Sequence, residues 1–274
     1  VPLLYEFPAL CLMQEPGWAR AYMLVGSGSN GKSTYLRLIT DLLGRKNVAK
    51  VSLQDLNNNR FAPSALVGKL ANIFPDLPAK ALRRTSVFKA FTGGDEIYVE
   101  KKFKDPFGFL FKGRLAYSTN QLPEVADDSY AFWRRWVVIE FPNVFPDNPN
   151  FYDSLRKEIP GLLNKVIQYI KKIKREGLTK TKRAEEIMEL WKRSSDSVYY
   201  FVSKKIIKDP DGEVGKDFLY NRYVEFCDEH DIPAVPKNVF GMKIQQHTGA
   251  KNIRKRVKGE RIRVWRGIEY RSED

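Results

Sequence analysis

Long hydrophobic runs are missing from this 274-residue chain. No stretch approaches the ~18–20 uninterrupted apolar residues that a membrane span needs, so no membrane partner is expected. The apolar opening Val1-Pro2-Leu3-Leu4-Tyr5 is soon broken by Glu6 and Pro8 and has no basic leader, which excludes a signal peptide. An initiator methionine is also missing, and we expect a piece of something longer. Cysteine is scarce. Cys11 and Cys227 stand far apart and offer no disulfide framework, so an intracellular, cytoplasmic location is the default. Cys227 and His230 are too few for a zinc site, which takes four ligands when structural and usually three when catalytic. They read as a packed cysteine and a surface histidine. Internal repeats and low-complexity tracts are absent.

Acidic residues are outnumbered, 33 against 47 basic ones, for a formal net charge of +14. A surface of that sign attracts polyanions, and nucleic acid is the commonest. A hydrophobic fraction of 43% is that of an ordinary globular protein, with length for one large or two modest domains.

Tyr22-Met23-Leu24-Val25 is a short apolar run stopping at Gly26, which reads as a buried strand entering a tight loop. From Lys32 to Leu43 apolar residues recur at helical spacing until Gly44 stops them. Further candidate strands are Leu70 to Phe74, Ile97 to Glu100, Arg114 to Ser118 and Trp136 to Phe141, with a helical segment around Lys80 to Phe91. Together they suggest one central sheet, mostly parallel. Residues 159 to 176 form an amphipathic helix with Leu162, Val166, Ile170 and Ile173 on one face. Another helical pattern runs from Ala184 to about Arg193.

After Asp196 the texture changes. Val198 to Ile207, Phe218 to Cys227 and Pro236 to Gln246 read as short helices, the first two separated by the turn signal Asp209-Pro210-Asp211-Gly212. Tyr220, Tyr223 and Phe226, at helical spacing, read as core. Two alternating runs, Asn252 to Val257 and Arg261 to Trp265, read as a β-hairpin. This order suggests a winged helix. The expected domains are therefore 1–150, a P-loop core, 151–194, a helical linker region, and 195–274, a small α+β winged-helix domain.

Gly26-Ser27-Gly28-Ser29-Asn30-Gly31-Lys32-Ser33-Thr34 matches G-x-x-x-x-G-K-[ST] in full. Glycines let the backbone turn so that its N–H groups point at phosphate oxygens. The helix that follows adds the positive end of its dipole. Lys32 supplies a mobile charge for the β and γ phosphates, and Ser33 can ligand Mg²⁺. The motif implies a nucleoside triphosphate without stating the reaction, because kinases, GTPases and motors share the loop.

In order along the chain, this loop is followed by Gly68 to Asp76, then Thr92-Gly93-Gly94-Asp95 leading into Glu100-Lys101-Lys102-Phe103-Lys104, then Ser118-Thr119-Asn120 and Arg134 to Phe141. The set resembles the superfamily 3 helicases, and within them the primase-helicase group of poxviruses, phages and archaeal plasmids. The resemblance implies an AAA+-like ATPase that assembles as a homo-hexameric ring on DNA, with ATP and Mg²⁺ between subunits and 3′-to-5′ movement. It puts Asp76 in the Walker B place, able to hold Mg²⁺ through water and to position the attacking water. The family usually shows two adjacent acids there, whereas Asp76 stands between Pro75 and Leu77. Asn120 takes the sensor place, and Arg135 that of the arginine finger acting on a neighbour's nucleotide, with Arg134 its close rival. Lys101, Lys102, Phe103 and Lys104 match a hairpin that follows a DNA strand in the ring channel. Lys89 is a weaker nucleotide candidate.

Residues 251 to 271 hold nine basic residues against two acidic ones, half the chain's formal excess. Arg254, Lys255, Arg256, Lys258, Arg261 and Arg263 are the expected duplex contacts. Lys237, Lys243, Gln245 and Gln246 on the preceding helix are expected to enter a groove. The leading expectation is an ATP-dependent replication helicase. An ATP-dependent initiator that binds DNA without processive unwinding remains open beside it, as does a P-loop phosphotransferase.

Overall fold

The computed structural model describes residues 1–15, 17–78, 80–127, 129–230, 232–257 and 260–271. Lys258, an expected DNA contact, lies outside them. The chain divides into two compact units, Val1–Glu189 and Leu190–Asp274.

Unit 1 is built on a five-stranded sheet of β1 (Ala21–Val25), β2 (Val48–Ala49), β3 (Ala71–Phe74), β6 (Arg114–Thr119) and β7 (Trp136–Glu140), in the order β2-β3-β6-β1-β7. Every neighbouring pair is parallel. Parallel strands are covered on both faces, which is why β1 and β6 are buried along nearly their whole length. β6 lies between β1 and β3, so the ends of these three strands adjoin at one edge of the sheet. The short β2 escapes the sequence pattern because two residues carry no periodicity.

Helix α1 (Pro2–Met13) and α2 (Lys32–Leu43) flank the sheet. Phe7 and Leu10 of the first and Leu36 and Ile39 of the second share one core with Tyr22, Leu24, Ile73 and Ala116. The predicted strand at 97–100 does not join this sheet. Among the described residues β4 (Glu96–Val99) pairs only with β5 (Phe107–Leu110), antiparallel, as a separate hairpin. One face of it, through Phe109, meets Phe91 of α4 (Ser86–Gly93) and Phe111. The helix expected around 80–91 is this shorter α4, with α3 (Leu53–Asn58) before it and α5 (Tyr130–Trp133) after β6.

The stretch expected as a linker is mostly part of unit 1. α6 (Phe151–Lys157) is tied to α2 by Tyr152, whose Oη donates to Asp41 Oδ2 at 2.7 Å. α7 (Ile159–Glu176) buries Val166 and Ile173 in the main core and packs on α1. Glu6 of α1 is buried, and its Oε1 accepts from the Thr179 backbone N–H at 3.0 Å, which fixes the chain leaving α7. The division between units falls inside α8 (Lys182–Ser195).

Unit 2 runs α9 (Ser197–Lys205), β8 (Ile206–Gly215), α10 (Lys216–Glu229), α11 (Lys237–Thr248), β9 (Lys251–Val257) and β10 (Glu260–Tyr270), with an antiparallel sheet ordered β8-β10-β9. β8 was not legible in the sequence. The turn signal at 209–212 is real but bulges out of a strand: pairing jumps from Lys208↔Ile268 to Glu213↔Arg266. Tyr223 and Phe226 are buried against Phe201 and Phe240, as expected of core residues, while Tyr220 is half-buried on Phe240. Cys227 is buried and His230 exposed.

Ile173→Ala empties a fully buried site. It should cost unit 1 about 2–5 kcal/mol in chemical denaturation if α7 belongs to this core. A loss below about 0.5 kcal/mol, the size of a typical surface change, would return α7 to the role of a linker.

Candidate functional site

The loop after β1 is held open by its own backbone. Gly28 and Gly31 have φ of 127° and 85°, and Ser29 is also left-handed at 43°. The first bond of α2 runs from the Tyr35 N–H to Gly31 O at 2.9 Å, so the N–H groups of Lys32, Ser33 and Thr34 precede the intrahelical ladder. Those amides are the donors an anion needs. Gly26 is required for a different reason: a Cβ there would land on Asn30 Nδ2 and Phe141 O. Asn30 is buried and donates to Phe141 O at 3.1 Å, clamping the loop to the strand edge beyond β7. The Phe145 N–H adds a bond to Ser29 O at 2.8 Å.

Lys32 is 6% exposed. Its Nζ donates to Gly26 O at 2.6 Å, Asn30 Oδ1 at 2.9 Å and Asn120 Oδ1 at 3.3 Å. Burial lowers its pKa from the ordinary lysine value, and the nearby Asp76 carboxylate opposes that shift. Three expected residues from three strand ends therefore converge. Lys32 follows β1, Asp76 follows β3 and Asn120 follows β6.

Asp76 is exposed and left-handed, with φ of 57°. Aspartate tolerates that region better than most residues. Its N–H donates to Ser118 Oγ at 3.2 Å, and the Leu77 N–H donates to Ser118 O at 2.6 Å, so β6 sets where Asp76 points. Ser33 is exposed on the first turn of α2. Among the described residues no group of three or more His, Cys, Asp or Glu side chains is arranged to hold a metal ion. A divalent cation at this loop would have Ser33 and Asp76 as its protein partners, with phosphate oxygens and water supplying the rest.

The arginine pair lies at the amino end of β7, the opposite edge of the sheet from the loop, because β1 and β7 are parallel with Ala21 opposite Trp136 and Val25 opposite Glu140. Five residues of strand separate the edges by about 15 Å. The two arginines of the pair differ in exposure. Arg135 is 7% exposed, its Nη1 donates to Ala131 O, and it sits beside Gly93 and Asp95. Arg134 is exposed, and its carbonyl accepts from Arg20 Nη1 at 2.8 Å. Arg20 was not singled out in the sequence, and nothing local marks it. Lys89 does not face the loop either: its Nζ donates to Asp127 Oδ2 at 2.8 Å. Burial pushes the Asp127 carboxyl up, but hydrogen bonds from Lys89, Ser129 and Thr85 outweigh it and hold the pKa at about 2.

The β4–β5 hairpin carries the expected basic tip. Lys101, Lys102 and Lys104 are exposed, and Phe103 is fully exposed with φ of 61°. Beside it is an open cavity of about 640 Å³ lined by residues 100–105 together with Arg60 and Phe61. Arg60 pairs with Glu100 at 3.4 Å. Arg60 has no mark in the sequence beyond the neighbouring Phe61.

In unit 2, Arg254, Arg256, Arg261 and Arg263 are exposed on β9 and β10. Lys255 Nζ pairs with Glu213 at 2.7 Å, and Lys237 and Lys243 of α11 pair with Asp217 and Asp196 at 2.7 and 2.8 Å.

The fold defines an α/β protein with a mostly parallel central sheet and a glycine loop between its first strand and the helix that follows, and comparison with known proteins narrows the resemblance. Residues 24–135 match a family of unknown function, DUF5906, and residues 193–271 match the poxvirus D5 protein-like family. The chain is 26% identical over 225 residues to the putative helicase L207/L206 of Acanthamoeba polyphaga mimivirus, covering 72% of this chain and 23% of that relative. It thus spans about a quarter of that relative's length. Its fold is similar to the apo C-terminal region of NrS-1 (residues 305–718), with TM-score 0.59 and 14% identity over 98% of this chain and 71% of that one. A second form of the same region gives TM-score 0.58 and 15% identity over 96% and 70%. The resemblance to poxvirus-type helicases drawn from the motifs is borne out. Among the described residues no helix is long and apolar enough to cross a membrane.

Gly26→Ala should reduce the affinity for a fluorescent ATP analogue at least tenfold, about 1.4 kcal/mol, because the loop cannot keep both Asn30 and Phe141 in place. Unchanged affinity would mean the loop is not the binding element. Asp127 has a folded pKa below its unfolded value. Its contribution to stability is complete above about pH 4 and disappears as pH falls toward about 2. Asp127→Asn should flatten that part of the acid-unfolding curve.

Proposed function

We propose that this chain is the ATP-hydrolysing motor portion of a DNA replication helicase, active only when two copies adjoin. The observation that supports this reading is the polarity of the central sheet. The phosphate loop, Asp76 and Asn120 stand at the carboxyl edge, and the exposed Arg134 at the amino edge. An arginine about 15 Å away across its own sheet has no route to its own loop, so it acts on the nucleotide of a neighbour.

The residues present fit ATP and Mg²⁺. In the loop, three oxygens already solvate the Lys32 ammonium, and phosphate oxygens take over that role when the triphosphate lies on the Lys32, Ser33 and Thr34 amides. ATP supplies a γ-phosphoryl whose transfer to water releases the free energy of the cycle. Asn120 uses Oδ1 to accept from Lys32, leaving Nδ2 to donate toward the γ-phosphate or the lytic water. Asp76 orients that water, and together with Ser33 it would hold Mg²⁺, which would offset the phosphate charge. Arg134 of the adjoining copy stabilises the spreading phosphoryl charge. A ring of such copies, a hexamer by resemblance, would carry the Lys101–Lys104 tips along one strand. Lysines would meet phosphates and Phe103 would stack on sugar or base. We read unit 2 as a winged helix that binds duplex DNA, since its order of helix, strand, two helices and hairpin fits that motif.

Mixing decides the matter. Lys32→Ala and Arg134→Ala should each lower ATPase activity by about 10²-fold or more, and combining them should restore a measurable fraction. Arg135→Ala should mainly lower the thermal midpoint. Failure of the mixture to recover, with both variants folded, would overturn action in trans. Strand displacement on forked DNA separates unwinding from an ATPase that drives assembly alone.

A further inference from the structure

Helix α11 presents a face without charge in the most basic part of the chain. Phe240, Ile244 and Thr248 anchor it to the core of unit 2. Its cations are turned aside. Lys243 Nζ and His247 Nε2 both reach Asp196 Oδ2, at 2.8 and 2.9 Å, and Lys237 reaches Asp217. Opposite the anchored side stand Asn238, Met242 and Gln245, all exposed, Met242 at 62%. At about 100° per residue these three fall within an arc of about 60°.

The neighbouring hairpin has the reverse character. Its register sets Arg254 directly opposite Arg263 and Arg256 directly opposite Arg261. Like charges so placed destabilise a hairpin. None of the four has an ion-pair partner among the described residues. A polyanion lying across them removes the repulsion.

We infer that unit 2 reads A·T-rich duplex DNA. Asn238 and Gln245 meet adenine in the major groove, Met242 meets thymine methyl groups, and the four arginines hold the adjacent backbone and minor groove. The chemistry of the bases directs this assignment. Asparagine and glutamine match the N6 donor and N7 acceptor of adenine, an apolar side chain matches the thymine methyl, and guanine is read by Arg or Lys, which this face lacks. A·T tracts also narrow the minor groove and deepen its negative potential, which favours arginine. The inference rests on reading unit 2 as a DNA-binding winged helix.

The full chain is titrated by fluorescence anisotropy with two duplexes of equal length, one A·T-rich and one G·C-rich, at one ionic strength. The A·T-rich duplex should bind about 5- to 150-fold tighter, the range of one bidentate base contact. A variant with Asn238→Ala and Gln245→Ala, its thermal midpoint unchanged, should lose that preference and keep its G·C affinity. A variant with Arg254→Ala and Arg263→Ala should weaken both duplexes alike and flatten the salt dependence. Equal binding of the two duplexes, a G·C preference, or equal binding of the matching RNA duplex overturns the inference and leaves unit 2 a nucleic-acid binder. No binding to any duplex, with ATP hydrolysis intact, removes the reading of unit 2 and the inference with it.

Discussion

A buried ammonium organises the first unit. Lys32 is surrounded by the Gly26 carbonyl, the Asn30 amide and the Asn120 amide, with Asp76 close enough to favour its charged form. An unpaired charge at that depth would be costly, so loop, strand ends and lysine are held to one arrangement by the need to solvate it. Asn30 serves twice, accepting from Lys32 and donating to Phe141 O, which couples the loop to the last strand of the sheet.

A parallel sheet has two unlike edges, and this protein uses both. The carboxyl edge gathers the loop, Asp76 and Asn120, while the amino edge carries the arginine pair. Within that pair, packing gives adjacent residues different surroundings. Arg135 is folded back on Ala131 and lies beside Gly93 and Asp95, and Arg134 is left in solvent. The aromatic stack of Phe88 on Trp136, with centroids 4.6 Å apart, and the Lys89–Asp127 bond hold α4 and the segment before α5 in register with β7, which fixes how Arg134 is presented.

The second unit separates charge from shape. Asp217 and Asp196 pair with the lysines of α11 and Glu213 pairs with Lys255, while the arginines of β9 and β10 face one another. Stability alone does not favour that pairing.

The glycine loop, the strands β1, β3, β6 and β7, the helices α2 and α7, and the C-terminal hairpin were legible in the sequence, because each has a strong local cause. Glycine spacing, apolar runs of strand length and unbroken 3.6-residue periodicity act over neighbouring residues and need no partner. The candidates Lys32, Asp76 and Asn120 could be named for the same reason, each standing at the end of an apolar run. What tertiary structure alone decided are the matters of distance in space. It set the order of strands that brings those three ends together, withdrew β4 from the sheet, and folded 151–176 into the core instead of leaving it a linker. It also buried Arg135 and exposed Arg134, and it turned Lys89 and Lys243 toward carboxylates 38 and 47 residues away in sequence. Charge at one position in a chain says nothing about which opposite charge the fold will set beside it, because ion pairing depends on distances that only packing creates.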